Sequence, residues 1–102
     1  MSDIGEARKT LVKRILEGAG IASSSDRRAA FNNSASTGPL AALVDKVARH
    51  ANRITDQDIS AARESGISED QIFEIVVCAA VGQANRQFNA ALAALDGAAG
   101  KE

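Results

Sequence analysis

The sequence predicts an all-α domain of about five helices, and three observations lead there. Apolar residues recur at three- and four-residue spacing along most of the chain, while β alternation appears nowhere. Two helix starts are marked by Thr55 and Ser68. Each has an apolar residue before it and another four positions into the helix, Ile54 with Ile59 and Ile67 with Ile72. The third observation is the Ala-rich run after Ser68, which meets no strong stop before Gly97.

The first helix follows Asp3, a capping residue, and carries Ile4, Ala7, Leu11, Val12, Ile15 and Leu16 on one side; Gly18 or Gly20 ends it. Residues 21–36 are rich in Ser and Asn and read as a loosely held connection. A short helix inside it starts at a Ser25 or Asp26 cap and carries Arg27 to Phe31. Pro39 suits the first turn of the next helix, where its missing N–H has no intrahelical partner to lose. Leu40, Leu43, Val44, Val47, Ala48 and Ala51 form that helix's apolar stripe, opposite Asp45, Lys46 and Arg49.

The Thr55 helix should stop at Gly66, which adopts a left-handed C′ conformation without a Cβ penalty. Ser68 and Gln71 form a capping box for the last helix, expected from about Glu69 to Asp96. Its run from Ile72 to Val81 has strand-like composition, yet a cap precedes it and no turn residues bound it. Apolar residues all round positions 75–81 predict burial on every side, and Gly82 between Ala80 and Ala84 leaves room for a close neighbour. The chain thus divides into an N-terminal helix and connection at 1–38, a helical core at 39–97 and a short tail at 98–102.

Composition narrows the function classes. The chain has 102 residues, room for one domain. Of its 46 hydrophobic residues 21 are Ala and 23 are Ile, Leu, Val or Phe, so the core is thin. A lone chain of this size buries roughly two thirds of its unfolded surface. Subunits are therefore expected to share a core, which makes a homo-oligomer the expected partner. A net charge of −1 argues against a polyanion-binding surface spread over the whole protein and leaves a local patch open. The single Cys allows no internal disulfide. The N-terminus lacks a signal-peptide pattern, and the longest apolar run, Ile75 to Val81, is far short of a span, so no membrane role is expected and the cytoplasm is the default compartment. One His and one Cys cannot build a zinc site, and no glycine-rich phosphate loop is present, so neither metal nor cofactor is expected.

The run Ala61-Ala62-Arg63-Glu64-Ser65-Gly66-Ile67-Ser68-Glu69-Asp70-Gln71-Ile72-Phe73-Glu74, followed by Ala79-Ala80 and Asn85-Arg86, resembles the carboxymuconolactone decarboxylase and alkylhydroperoxidase D-like superfamily. The likeness spans Val47 to Leu95, about half of the chain. It implies that family's helical fold and its oligomeric habit. Redox-active members carry Cys-x-x-Cys-x-x-x-His just ahead of the turn, at positions that here hold Ala51, Ile54 and Asp58. Their upstream acid falls near Pro39. Ala and Ile cannot attack a peroxide or cycle through a disulfide, so the fold is expected without the peroxidase chemistry. The decarboxylase branch does not depend on the Cys pair.

Individual residues have two readings each. Cys78 is a buried small hydrophobe, or a peroxidatic thiol that needs exposure and a nearby cation; Arg86, about 12 Å along the same helix, is too far to activate it. His50 is a surface residue or a general base, with Arg53 and Asp58 as neighbours at the next helix start. Asp58 is also the N3 residue of that helix, where a carboxylate is favoured in any case. Glu74 is a helix's polar edge or a buried acid needing a cation, with Arg86 and Arg63 as candidates. Gln83, Asn85, Arg86 and Gln87 suggest a hydrogen-bonded interface or a ligand pocket. Ala62, Gly66, Ile67 and Ile72 fit a helix-turn-helix, but Glu69, Asp70 and Glu74 would face phosphates, which disfavours nucleic acid.

The expectation is therefore a non-redox, carboxymuconolactone decarboxylase-like homo-oligomer with a binding or structural role. In it the Leu40 stripe and the 72–95 helix pack on a neighbouring subunit, with Glu74, Gln83, Asn85 and Arg86 as interface or binding residues. The alternative is an enzyme acting on a small organic acid, lactone or peroxide through His50, Asp58, Arg86 or Cys78.

Overall fold

A computed structural model describes residues 2–34 and 38–100, with the side chains of 5–34 and 38–98. These residues are all-helical: α1 (Ser2–Glu17), α2 (Ser24–Phe31), α3 (Gly38–His50), α4 (Asp56–Glu64) and α5 (Glu69–Gly100), with a 3-10 turn at Ala51–Arg53 after α3. The molecule measures 55 × 29 × 20 Å. Its long dimension is set by α5, whose 32 residues span about 48 Å at 1.5 Å per residue.

Local chemistry fixes most helix ends. Thr55 caps α4: its hydroxyl accepts from Asp58 N, while the Asp58 carboxylate accepts from Thr55 N at 2.8 Å. Ser68 and Gln71 exchange the same pair of bonds at the start of α5, at 3.0 and 3.2 Å. Gly66 after α4 has φ 101°, the left-handed C′ position expected of it. The cap of α2 differs from expectation: Ser23, not Ser25 or Asp26, accepts from Asp26 N at 3.1 Å. Of three consecutive serines only the first has the extended backbone a cap requires. The last helix also continues to Gly100, through Gly97, because Ala on both sides favours the helix.

The core lies where α2, α3 and α4 meet the first half of α5. Its largest fully buried side chains are Leu43, Val44, Ile75 and Cys78, with Ala22, Ala30, Ala62 and Ala79 filling between them. Small residues bring backbones together. Gly82 lies so close to the Phe31 carbonyl that a Cβ there would collide with it.

Three expectations change here. Residues 22–33 are no loose connection, since Ala22, Arg27, Ala30 and Phe31 are buried and α2 packs closely on α5. The α3 stripe faces α5 of its own chain, with Leu43, Val44, Val47 and Ala48 buried, so it is not left over for a neighbouring subunit. Finally, its own chain does not enclose α5 all round: Ile75, Cys78 and Ala79 are buried, Val76, Val77 and Val81 are half-buried, and Ala80 is exposed.

Candidate functional site

The residues expected to act together lie in separate places. His50 is exposed at the end of α3. Asp58 does not face it. Its carboxylate receives both Lys46 Nζ contacts at 3.0 Å and the Thr55 backbone N–H, so it ties α3 to the start of α4. The Thr55 N–H first, and Lys46 second, hold the Asp58 carboxyl below its ordinary value of 3.8. A carboxylate held in this way is a poor general base.

Cys78 is 1% exposed. Burial pushes its thiol above the ordinary 9.0, with the Arg27 charge acting in the opposite direction and Glu74 adding to the rise. Its Sγ points to the Ile15 carbonyl at 3.9 Å. Arg86 does not approach it; the guanidinium donates to the Phe31 carbonyl at 2.6 Å and to Gln83 Oε1 at 2.9 Å.

Glu74 has neither of the expected arginine partners. Its carboxylate accepts Ile21 N at 2.9 and 3.0 Å and Ala22 N at 2.9 Å, fastening the α1–α2 link to α5. Arg63 pairs instead with Glu69 at 3.0 Å, across the α4–α5 turn. Among the described residues the buried cation is Arg27, 6% exposed, which donates to the Ile15 and Gly18 carbonyls at 3.1 and 2.8 Å. It closes the C-terminal end of α1, where free carbonyls favour a positive charge. No pattern in the sequence distinguishes Arg27 from its neighbour Arg28.

The four-residue polar cluster also divides. Gln83 and Arg86 face α2, Gln87 is exposed, and Asn85 faces α1. There Arg8 donates to Asn85 Oδ1 at 2.9 Å and to Asn89 Oδ1 at 2.8 Å, and lies 4.6 Å from the centre of the Phe88 ring. Two clefts open beside this clasp. One, about 280 Å³, is almost wholly apolar and lies between Leu11 and Val12 of α1 and Val81, Ala84 and Phe88 of α5. The other, about 380 Å³, is basic, with Arg8, Lys9, Lys13 and Arg28 near Asn85 and Asn89, against the single acid Glu17. Nothing in the sequence singles out Arg8, because its role depends on a contact with α5 more than seventy residues away.

The apolar cleft continues into an exposed face. Leu11, Phe88, Leu92 and Leu95 are 51, 39, 39 and 66% exposed. Every residue from Gln87 to Ala98 is exposed, and the only charge among them is Asp96. Among the described residues no helix is long and apolar enough to cross a membrane, and no three His, Cys, Asp or Glu side chains gather as a metal would require. Comparison with protein-family models, with characterised proteins and with solved structures finds no match for the chain.

Proposed function

We propose that this chain is a homo-oligomeric helical protein with a binding or structural role, built on a carboxymuconolactone decarboxylase-like arrangement without thiol chemistry. The observation that supports it most is the outer half of α5. A helix that stands in water normally carries charges on its open face. This one presents Phe88, Leu92 and Leu95 among alanines, with no charge from Gln87 to Leu95. Such a surface suits an apolar partner. A lipid headgroup or nucleic-acid partner would call for Lys or Arg there, and residues 87–98 contain neither. Light scattering at micromolar concentration tests the reading: a mass above that of one chain is expected, and a cooperatively melting monomer overturns it.

The absence of thiol chemistry has its own test. A peroxidatic cysteine reacts as the thiolate and must be reached by its substrate. Cys78 is enclosed and its thiol is held protonated by burial. Its labelling by a thiol reagent should be slow in the native protein and fast once unfolded; fast native labelling would restore the peroxidase reading.

A second reading rests on the basic cleft. Arg8, Lys9, Lys13 and Arg28 around about 380 Å³ suit a small organic acid better than a neutral ligand. Calorimetric titration with di- and tricarboxylates, repeated on Lys13→Ala, tests it: binding that Lys13→Ala weakens supports the cleft, and no heat with any acid removes it.

A further inference from the structure

We infer that α5 pairs with α5 of a second copy of this chain, antiparallel and across a two-fold axis at Phe88. The inference rests on the oligomeric reading above and names its partner and register. Positions 81, 84, 85, 88, 91, 92 and 95 fall on one side of α5 by helical periodicity. Reflected about position 88, this stripe complements itself in size. Leu95 falls opposite the partner's Val81, Leu92 opposite the partner's Ala84, and Ala91 opposite the partner's Asn85. Apart from Phe88, which meets its own copy on the axis, large side chains therefore meet small or medium ones, as suits one surface facing itself.

The geometry of the single chain supports the same register. Val81 and Ala84 line the apolar cleft together with Leu11 and Val12. In this pairing the cleft receives the partner's Leu92 and Leu95, so the exposed end of one helix fills the groove at the middle of the other. Asn85 Oδ1 already accepts from Arg8, so that oxygen keeps a partner when the seam closes. An antiparallel arrangement also opposes the two helix dipoles and places each Asp96 opposite an alanine, Ala80 of the partner subunit. A parallel pair would set Asp96 against its own copy. The seam uses fewer residues than the roughly 20–30 a side of a standard interface, which points to a dimer that dissociates on dilution.

The test uses the full chain and two measurements. Sedimentation or light scattering from nanomolar to high micromolar concentration should show the mass doubling, and Leu95→Glu should weaken association at least about tenfold. Leu95 is 66% exposed, so this variant should keep its fold, as circular dichroism will verify. Register is read by oxidative cross-linking in a Cys78→Ala background. Phe88→Cys should link to its own copy, and so should the Val81→Cys/Leu95→Cys pair. Leu95→Cys alone should not, because the two copies of position 95 lie about 21 Å apart along the seam. A dimer in which Leu95→Cys links to itself, or which Leu95→Glu leaves intact, overturns the seam but not the oligomeric reading. A monomer throughout the concentration series overturns both.

Discussion

Glu74 shows how a charged residue in an apolar helix can be satisfied without a direct ion pair. Its two oxygens collect three contacts from the backbone N–H groups of Ile21 and Ala22, where the chain turns from α1 into α2. Removing the carboxylate leaves those donors, one of them part-buried, without a partner. Glu74→Ala should therefore cost about 1–3 kcal/mol, read as a lower midpoint in urea, whereas an exposed acid such as Glu64 should lose little when changed. Equal losses at the two positions would show that the link is not held by Glu74. Asp58 makes a prediction in pH. Its folded-state pKa lies below 3.8, so its carboxylate stabilises the fold above the unfolded value. That contribution is complete above about pH 5 and is lost as pH falls through the depressed folded value. Asp58→Asn keeps the shape and removes the titration. The variant should start with a lower melting temperature at neutral pH and lose less of it on acidification than the parent chain does. An identical acid profile would assign the depressed pKa no part in stability.

On the scale of the element, α5 is two helices in one. Its first half is packed by α2, α3 and α4; its second half is open. Two of its glycines report the difference. Ala is favoured over Gly inside a helix by up to about 1 kcal/mol, other things equal. At Gly97 a Cβ meets nothing within 4 Å, so Gly97→Ala should raise stability or helicity slightly. At Gly82 the Cβ would drive into the Phe31 carbonyl, which also accepts the Arg86 bond. Backbone cannot yield as a flexible side chain can, so overpacking of about 1–3 kcal/mol or more exceeds the propensity gain, and Gly82→Ala should lower the melting temperature. Gly82→Ala that melts no lower than the parent would refute the close approach of α2. The helices themselves were legible in the sequence because their signals are local: the Thr55 and Ser68 boxes act over three residues, and Gly66 acts on its own φ. The position of α2 was not legible. Its Ser and Asn content describes its exposed side, while Ala22, Ala30 and Phe31 gain their meaning only from α5, some fifty residues on. The N3 role of Asp58 is legible because it too is local: its carboxylate takes the Thr55 N–H three residues back. The partners of Glu74 and Arg86 are not, since charge pairing suggests a counter-ion and cannot foresee a free backbone donor or acceptor at a helix end.

For the whole molecule, the distribution of charge decides how association should respond to salt. The chain is nearly neutral in total, with 12 basic and 13 acidic residues, yet the charges are unevenly placed. Arg8, Lys9, Lys13 and Arg28 gather at the basic cleft, and the open face of α5 carries none from Gln87 to Leu95. Association driven by charge would weaken as salt shortens the screening length to about 8 Å at physiological strength and about 3 Å at 1 M. Association along an apolar seam should not weaken, and sulfate, which strengthens burial of apolar surface, should tighten it. Because Arg8 lies over Phe88 and meets its own copy near the axis, salt can only relieve repulsion there; the dimer dissociation constant should thus not rise in sodium chloride and should fall in ammonium sulfate. If the basic cleft takes an organic acid, that binding should weaken in sodium chloride in the same samples, since ligand and lysines meet at a solvent-open site. Opposite responses from two clefts that share Arg8 and Asn85 would separate their roles without a mutation. Dissociation of the dimer by sodium chloride would instead place the contact at the charged side of α1 and remove the α5 seam.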